Sequence, residues 1–185
     1  MKRCVAILLC VGCVSLSALA QPIHDLAQQA AAEPALRVSG HVPNFAHPAE
    51  SLYTGGQPDA EAWGQLMEAG VTTVINLRSA EEMQGSDEEA TVRALGMQYV
   101  SIPVAGAADV DVAHAERLHE ALAAASGAVL VHCASGNRVG ALLAIDAAQA
   151  KNMDVEQAVE HGRSAGLTSL ESRVREVLAA PQPSD

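Results

Sequence analysis

The sequence predicts a single three-layer α/β domain with a mainly parallel central sheet flanked by helices, for three reasons. Strand-like and helix-like segments alternate along most of the chain. The strand-like segments are apolar and rich in β-branched residues, as strands buried on both faces are. The chain has 185 residues, enough for one domain with a substantial core.

The first half of the chain predicts two strands, each followed by a helix. A strand over 51–57 precedes Pro58 and Asp59, which favour the start of a helix that runs through residue 69 and ends at Gly70. The β-branched run over 71–77 predicts a buried strand. A helix over 87–95 then ends at Gly96.

The second half continues the alternation with a strand over 97–104. Asp109 or Asp111 is predicted to cap a helix that runs to residue 125. The strand over 128–132 leads directly into Cys133. Ligands of such sheets bind beyond the carboxyl ends of the strands, which is where Cys133 lies. Three helices follow this strand, over 139–150, 154–164 and 167–179.

The amino terminus predicts an export signal over residues 1–20. Lys2 and Arg3 precede an apolar run, and small residues surround a cleavage site after Ala20. The run is shorter than the roughly 20 residues that cross a bilayer, so no stable membrane span is expected after cleavage. A lipoprotein signal that uses Cys13 is the alternative. The predicted protein is therefore exported, to the periplasm, with a flexible leader over 21–44, a domain over 45–180 and a disordered tail over 181–185.

The charge argues against a nucleic-acid partner. The formal net charge is −11, and removal of Lys2 and Arg3 leaves 9 basic against 22 acidic residues, a net of −13. A field of this sign repels phosphate backbones, and aromatic side chains for base stacking are scarce. The expected partner is a small anionic substrate or a phosphoprotein, held by local donors. No metal site and no cofactor is predicted, and the oligomeric state is left open.

Cys133 is the only cysteine that remains after the predicted cleavage, so it has no partner for an internal disulfide. An unpaired thiol in an exported protein points to a reactive group. Cys133 follows a strand and precedes a helix, where backbone N–H groups and the helix dipole favour a thiolate. The alternative is a small buried apolar residue, which is what most free cysteines are.

The residues that follow Cys133 predict an anion-binding loop. Its amides and the fork of Arg138 would surround a tetrahedral oxyanion beside the sulfur. We therefore predict Cys133 and Arg138 to be catalytic. The predicted substrate-binding residues between them are Ala134, Ser135, Gly136 and Asn137.

Two further residues are predicted near this loop. Arg78 follows its strand at the same edge of the sheet and is predicted to bind the substrate, although a pair with Glu81 or Glu82 explains it equally well. His132 precedes the nucleophile on a strand, so its side chain points to the opposite face. We predict that His132 orders the loop from behind.

The pattern His132-Cys133-x-x-Gly136-x-Arg138 resembles the signature of the cysteine phosphatase superfamily. The wider sequence, with LYTGGQP from Leu52, GVTTVINLR from Gly70 and IPV from Ile102, resembles the phosphatase-like domain of the beta-lactamase hydrolase-like proteins. This resemblance implies a dual-specificity-phosphatase-like fold. It also implies that Cys133 is the nucleophile and that Arg138 clamps the oxyanion.

Three features leave other activities open. Four residues separate Cys133 from Arg138, where tyrosine phosphatases have five, and this length is similar to rhodanese sulfurtransferase loops. Val139 occupies a position where phosphatases usually have Ser or Thr. For the general acid we predict Asp109, with Asp111 as the alternative. The sequence thus predicts a cysteine phosphatase, with a sulfurtransferase or a non-catalytic anion-binding module as alternatives.

Overall fold

A computed structural model describes residues 38–180. The predicted signal peptide, most of the predicted leader and the predicted tail over 181–185 lie outside the described residues. Residues 38–44, which we assigned to the leader, instead pack on the domain, with Val38 and Val42 buried in its core. The folded domain therefore begins before residue 45. No helix within 38–180 is long and apolar enough to cross a membrane.

The central sheet has five strands in the order β1-β2-β5-β3-β4. Every pairing is parallel except that of the edge strand β1 with β2, so the predicted mainly parallel sheet is confirmed. β1 was not predicted because its short sequence contains a proline and no β-branched residue. The strands are β1 Ala46–Ala49, β2 Leu52–Gly55, β3 Val71–Asn76, β4 Gln98–Ser101 and β5 Ala128–His132.

Six helices cover the two faces of the sheet within the described residues. Asp111 caps α3 by accepting a hydrogen bond from the backbone N–H of His114 (2.8 Å), and Asp154 forms a capping box with Gln157 in α5. α1 begins later than predicted, at Ala62, because the Asp59 carboxylate accepts hydrogen bonds from the backbone N–H groups of Glu61 and Ala62 and so satisfies the donors at the start of the helix. The helices are α1 Ala62–Glu68, α2 Glu88–Ala94, α3 Val112–Ala124, α4 Asn137–Ala150, α5 Val155–Ser164 and α6 Glu171–Ala179.

The alternation of side chains along β5 divides the core into two clusters. Val129 and Val131 face the cluster that contains α4, whereas Leu130 faces the cluster around Trp63. α4 is buried along most of its length. The loop that contains Cys133 therefore joins a buried strand to a buried helix.

Gly140 allows α4 to approach the turn between α5 and α6. A Cβ at this position would lie 2.1 Å from the backbone nitrogen of Leu167 and 2.5 Å from the carbonyl oxygen of Gly162. Both neighbours are backbone atoms, so they cannot move aside as a flexible side chain would. This close approach brings residues 166–170 against the start of α4.

We expect Gly140→Ala to destabilise the domain by about 2 kcal/mol or more, because the added methyl overlaps backbone atoms. The matched control is Gly64→Ala in α1, where a Cβ would meet nothing within 4 Å. That change should stabilise by about 0.5–1 kcal/mol, since alanine favours a helix over glycine. Urea unfolding measures both. Equal stability changes in the two variants would contradict the close packing at Gly140.

Candidate active site

The loop after β5 presents the thiol of Cys133 to the amino end of α4. Gly136 adopts φ of +88°, a left-handed conformation that suits glycine, and this bend starts the helix at Asn137. The amide of Gly136 points at the Cys133 sulfur, with 3.1 Å between N and Sγ. Cys133 is only 1% exposed. The thiol thus lies where N–H groups and the helix dipole stabilise negative charge.

Neighbouring segments engage the loop from outside. Asn44 Nδ2 donates to the carbonyl oxygen of Ser135 at 3.0 Å. The backbone N–H of Gln57 donates to the carbonyl oxygen of Ala134 at 3.2 Å. The carbonyl oxygen of Gly136 accepts from Gly140 in the first turn of α4. These three carbonyl oxygens are therefore engaged, whereas the Gly136 amide faces the sulfur.

Arg138 lies in the first turn of α4 and binds Glu82 with both ends of its fork. Its Nη1 and Nη2 each lie 2.7 Å from a Glu82 oxygen, and Nη1 also donates to the carbonyl oxygen of Val104 at 2.5 Å. The bond to Glu82 raises the pKa of Arg138, burial opposes this, and the nearby Cys133 raises it further. The guanidinium is therefore permanently charged and fixed beside the thiol.

Glu82 was not predicted at this site as a partner of Arg138. Its carboxylate also accepts from the amide of Ser79 at 3.0 Å and lies 3.6 Å from Arg78 Nε. Hydrogen bonding to Arg138 lowers the pKa of Glu82 to about 2, although burial alone would raise it. The sequence offered Glu82 only as an alternative partner of Arg78, and no sequence signal connects Glu82 with a residue 56 positions later.

The structure places Arg78 between Gln57 and Glu82 at the same edge of the sheet. Its Nη1 donates to Gln57 Oε1 at 2.5 Å and its Nη2 to the backbone oxygen of Glu82 at 2.6 Å. Its backbone N–H donates to Asn76 Oδ1. Contact of Arg78 with a substrate stays a prediction.

His132 is fully buried on the face of the sheet opposite Cys133. Its Nε2 lies 3.1 Å from Glu88 Oε1, and its ring meets that of Trp63 edge-on at 6.0 Å. Burial raises the pKa of Glu88, but the hydrogen bond and charge of His132, with two further hydrogen bonds, outweigh it and lower the pKa. This location is behind the loop, as expected for an ordering role, which itself stays a prediction.

The other predicted loop residues lie at the rim. Ala134 and Ser135 are exposed. Asn137 turns its side chain toward the α5–α6 turn, where Oδ1 accepts from the amide of Thr168 at 2.8 Å and Nδ2 donates to Ser169 Oγ at 2.7 Å. The side chain of Asn137 therefore holds the neighbouring turn. Only the backbone amide of Asn137 is left to contact an anion.

The two candidate acids occupy different local structures. Asp111 serves as the cap of α3, whereas Asp109 ends a single 3₁₀ turn, with its Oδ2 accepting from the amide of Ala105 at 2.8 Å. Ala105 follows Val104, whose carbonyl oxygen binds Arg138. The segment that carries Asp109 thus begins next to the residue whose carbonyl oxygen binds the Arg138 guanidinium. No group of three His, Cys, Asp or Glu residues within 38–180 could hold a metal ion.

The family model for the phosphatase-like domain of beta-lactamase hydrolase-like proteins matches residues 44–150. The chain belongs to this family. A beta-lactamase hydrolase-like protein of Xylella fastidiosa is 35% identical over 100 residues, which cover 52% of this chain and 23% of that protein. The chain therefore matches less than a quarter of the length of that relative.

Solved structures share the fold. A candidate phosphatase from Shewanella putrefaciens CN-32 is 25% identical, with a TM-score of 0.57 over 78% of this chain and 97% of that one. A candidate phosphatase from Neisseria meningitidis Z2491 is 23% identical, with a TM-score of 0.61 over 71% of this chain and 96% of that one. TpbA of P. aeruginosa, in complex with phosphotyrosine, is 19% identical, with a TM-score of 0.53 over 77% and 91%. The predicted dual-specificity-phosphatase-like fold is confirmed.

Stability should depend on pH through Glu82. Because its pKa falls from 4.5 to about 2 in the folded state, its contribution is complete above about pH 4.5 and is lost as the pH falls toward about 2. Glu82→Gln should therefore cost about 2 kcal/mol at neutral pH, and the difference from wild type should shrink through that window.

Urea unfolding between about pH 7 and about pH 3 measures this difference. The matched control is Glu81→Gln at the exposed neighbouring position, which should leave stability nearly unchanged across the range. A Glu82→Gln difference that stays constant as the pH falls would mean that the ion pair with Arg138 does not stabilise the fold.

Proposed function

We propose that this chain is a cysteine phosphatase that forms a covalent Cys133 intermediate with a phosphomonoester. One observation carries the proposal: the Cys133 sulfur lies at the amino end of α4, with the Gly136 amide aimed at it and the Arg138 guanidinium beside it. Membership of a phosphatase-like family supports the proposal, as does the shared fold of TpbA, which was solved with phosphotyrosine. The fold by itself does not determine the reaction.

In the proposed reaction the Cys133 thiolate attacks phosphorus in line with the leaving oxygen. The S–P bond forms as the P–O bond breaks, and Asp109 gives its proton to the leaving oxygen. The backbone amides from Ala134 to Arg138 and the Arg138 fork stabilise charge on the three equatorial oxygens. In the second step the Asp109 carboxylate takes a proton from a water molecule that attacks the phosphocysteine. The S–P bond breaks, inorganic phosphate is released, and the Cys133 thiolate and protonated Asp109 are restored.

Loop length favours one alternative activity. The four residues between Cys133 and Arg138 form a short ring like that of rhodanese sulfurtransferases, and Val139 is fully buried in the core without a hydroxyl that could assist release of phosphate. In that alternative the thiolate attacks the outer sulfur of thiosulfate, the S–S bond of thiosulfate breaks with release of sulfite, and the sulfur stays on Cys133 as a persulfide. A non-catalytic anion-binding module is the outcome if neither donor reacts.

The proposed setting is an exported protein that acts in the periplasm on a small anionic phosphoester or a phosphoprotein. The sequence pattern over residues 1–20 supports export. The acidic net charge supports a small or locally held anion over a polyanionic partner.

Cys133→Ser should abolish hydrolysis of an aryl phosphate while the fold is retained, because a serine hydroxyl is similar in size but a far weaker acid. Turnover of aryl phosphate by the wild type and the variant is the measurement, with circular dichroism as the folding control. Thiosulfate with cyanide serves as the competing substrate. Turnover of thiosulfate without turnover of aryl phosphate would replace the phosphatase proposal with the sulfurtransferase.

Asp109→Asn should slow hydrolysis of esters with poor leaving groups about a hundredfold and spare good leaving groups, because only the former need a proton. Asp111→Ala is the matched control and should cost about 1 kcal/mol of stability, through loss of the α3 cap, with little effect on chemistry. Rates across a series of aryl phosphates and urea unfolding measure the two effects. The reverse pattern would assign the acid to Asp111.

A further inference from the structure

The hydrogen bonds of Arg138 leave one edge of its guanidinium open. An arginine side chain has five N–H donors in a plane. Both hydrogens of Nη1 are engaged, by Glu82 and by the Val104 carbonyl oxygen, and one hydrogen of Nη2 is engaged by the other Glu82 oxygen. The remaining donors are Nε–H and the second hydrogen of Nη2. These two are parallel and form the side edge, which suits two oxygens of one oxyanion.

Glu82 determines which edge stays open because it is itself fixed from two sides. Its carboxylate accepts from the Ser79 amide, and its backbone oxygen accepts from Arg78 Nη2. Its side chain is 29% exposed, and that of Arg138 is 12% exposed. A two-point bond between two fixed groups leaves the guanidinium plane little freedom to rotate.

Arg78 is held in turn by Gln57, and Gln57 connects to the buried, hydrogen-bonded Glu88 and His132 behind the loop. Gln57 Oε1 accepts from Arg78 Nη1, and Gln57 Nε2 donates to Glu88 Oε2, each at 2.5 Å. Glu88 is the partner of His132. The backbone amide of Gln57 also holds the loop carbonyl of Ala134. A continuous polar chain thus runs from the residue before the nucleophile to the clamp after it.

We propose that Gln57, Arg78 and Glu82 are positioning residues that present the Nε edge of Arg138 to the bound anion without touching the anion themselves. Arg78 thereby acts through Glu82, in place of the direct contact with substrate that its position at the sheet edge predicted. The inference rests on the anion site of the proposed function, but it does not depend on phosphate turnover. It applies equally if the bound anion is a phosphoester or thiosulfate.

The direction in which anion binding changes when Glu82 is replaced separates positioning from two other roles of Glu82. If Glu82 merely occupied the anion's place, its removal would improve anion binding. A long-range charge effect would act in the same direction, because Glu82→Gln removes a negative charge near an anion site. Positioning predicts the opposite, a weaker response to an anion.

The experiment compares alkylation of Cys133 by iodoacetate, an anion, with alkylation by neutral iodoacetamide in the full chain. Peptide mass spectrometry follows Cys133 separately from the three cysteines near the amino terminus. The ratio of the two rates cancels the thiolate fraction and the access of the thiol, so it reports on how strongly the site favours an anion. A general loss of structure would also lower the ratio, to that of a free peptide, so only variants that are folded by circular dichroism are compared.

We expect the wild-type ratio to exceed that of a free cysteine peptide and Glu82→Gln to lower it about tenfold, as expected for a misplaced charge-assisted hydrogen bond. Glu82→Asp keeps the charge but is too short to bind both Nη atoms in place, so it should lower the ratio as well. Arg78→Lys should also lower the ratio, because an ammonium cannot bridge Gln57 and Glu82. The effect should be smaller, because Glu82 itself still binds Arg138 and the Ser79 amide. The matched control Glu81→Gln should leave the ratio unchanged.

An unchanged or higher ratio in folded Glu82→Gln and Glu82→Asp overturns the proposal, as does a wild-type ratio no higher than that of the free peptide. If either variant fails to fold, by circular dichroism, the other and Arg78→Lys carry the test. Aryl phosphate turnover by the wild type is measured in parallel. A raised wild-type ratio that falls in the Glu82 variants, without such turnover, would support the positioning chain and reject the phosphatase.

Discussion

The site depends on one constraint: β5 must become α4 within the few residues that separate Cys133 from the first helical turn. Gly136 makes this possible by adopting a left-handed conformation, and the helix then begins one residue later. As a result, the thiol, the amides of the loop and the guanidinium of Arg138 share the amino end of a buried helix. The helix dipole, the loop N–H groups and the fixed guanidinium would all stabilise an anion beside the sulfur.

Buried polar groups need partners, and this requirement explains the surroundings of the loop. Glu88 and His132 are nearly inaccessible on the opposite face of the sheet, so they pair with each other, and Glu88 takes further donors from Gln57 and Tyr99. Glu82 and Arg138 satisfy one another at the open edge. The network restrains both ends of the loop, which is what a preorganised oxyanion site requires, because donors must be in place before the charge develops.

Local patterns predicted the parts of the fold that depend on local chemistry. The bounds of β5 were predicted correctly, and Asp111 and Asp154 lie at the predicted helix starts because capping is a short-range interaction. The strand β1 escaped prediction because its own residues have low strand propensity, although its partner β2 follows within a few residues. The packed segment from Val38 escaped prediction because its core contacts are with residues far along the chain. The same holds for the contact of Glu82 with Arg138 and for the side chain of Asn137, whose partners lie more than 30 positions away.

We infer that the Cys133 loop and the open edge of Arg138 form one oxyanion site. A crystal structure with bound tungstate, a stable tetrahedral analogue of phosphate, tests this most directly. We predict tungstate beside Sγ of Cys133, within hydrogen-bond distance of the loop amides and of Arg138 Nε, with the pair between Glu82 and Arg138 still intact. Tungstate bound elsewhere, or bound only with the pair between Arg138 and Glu82 broken, would show that the Cys133 loop and the open edge of Arg138 do not form one oxyanion site.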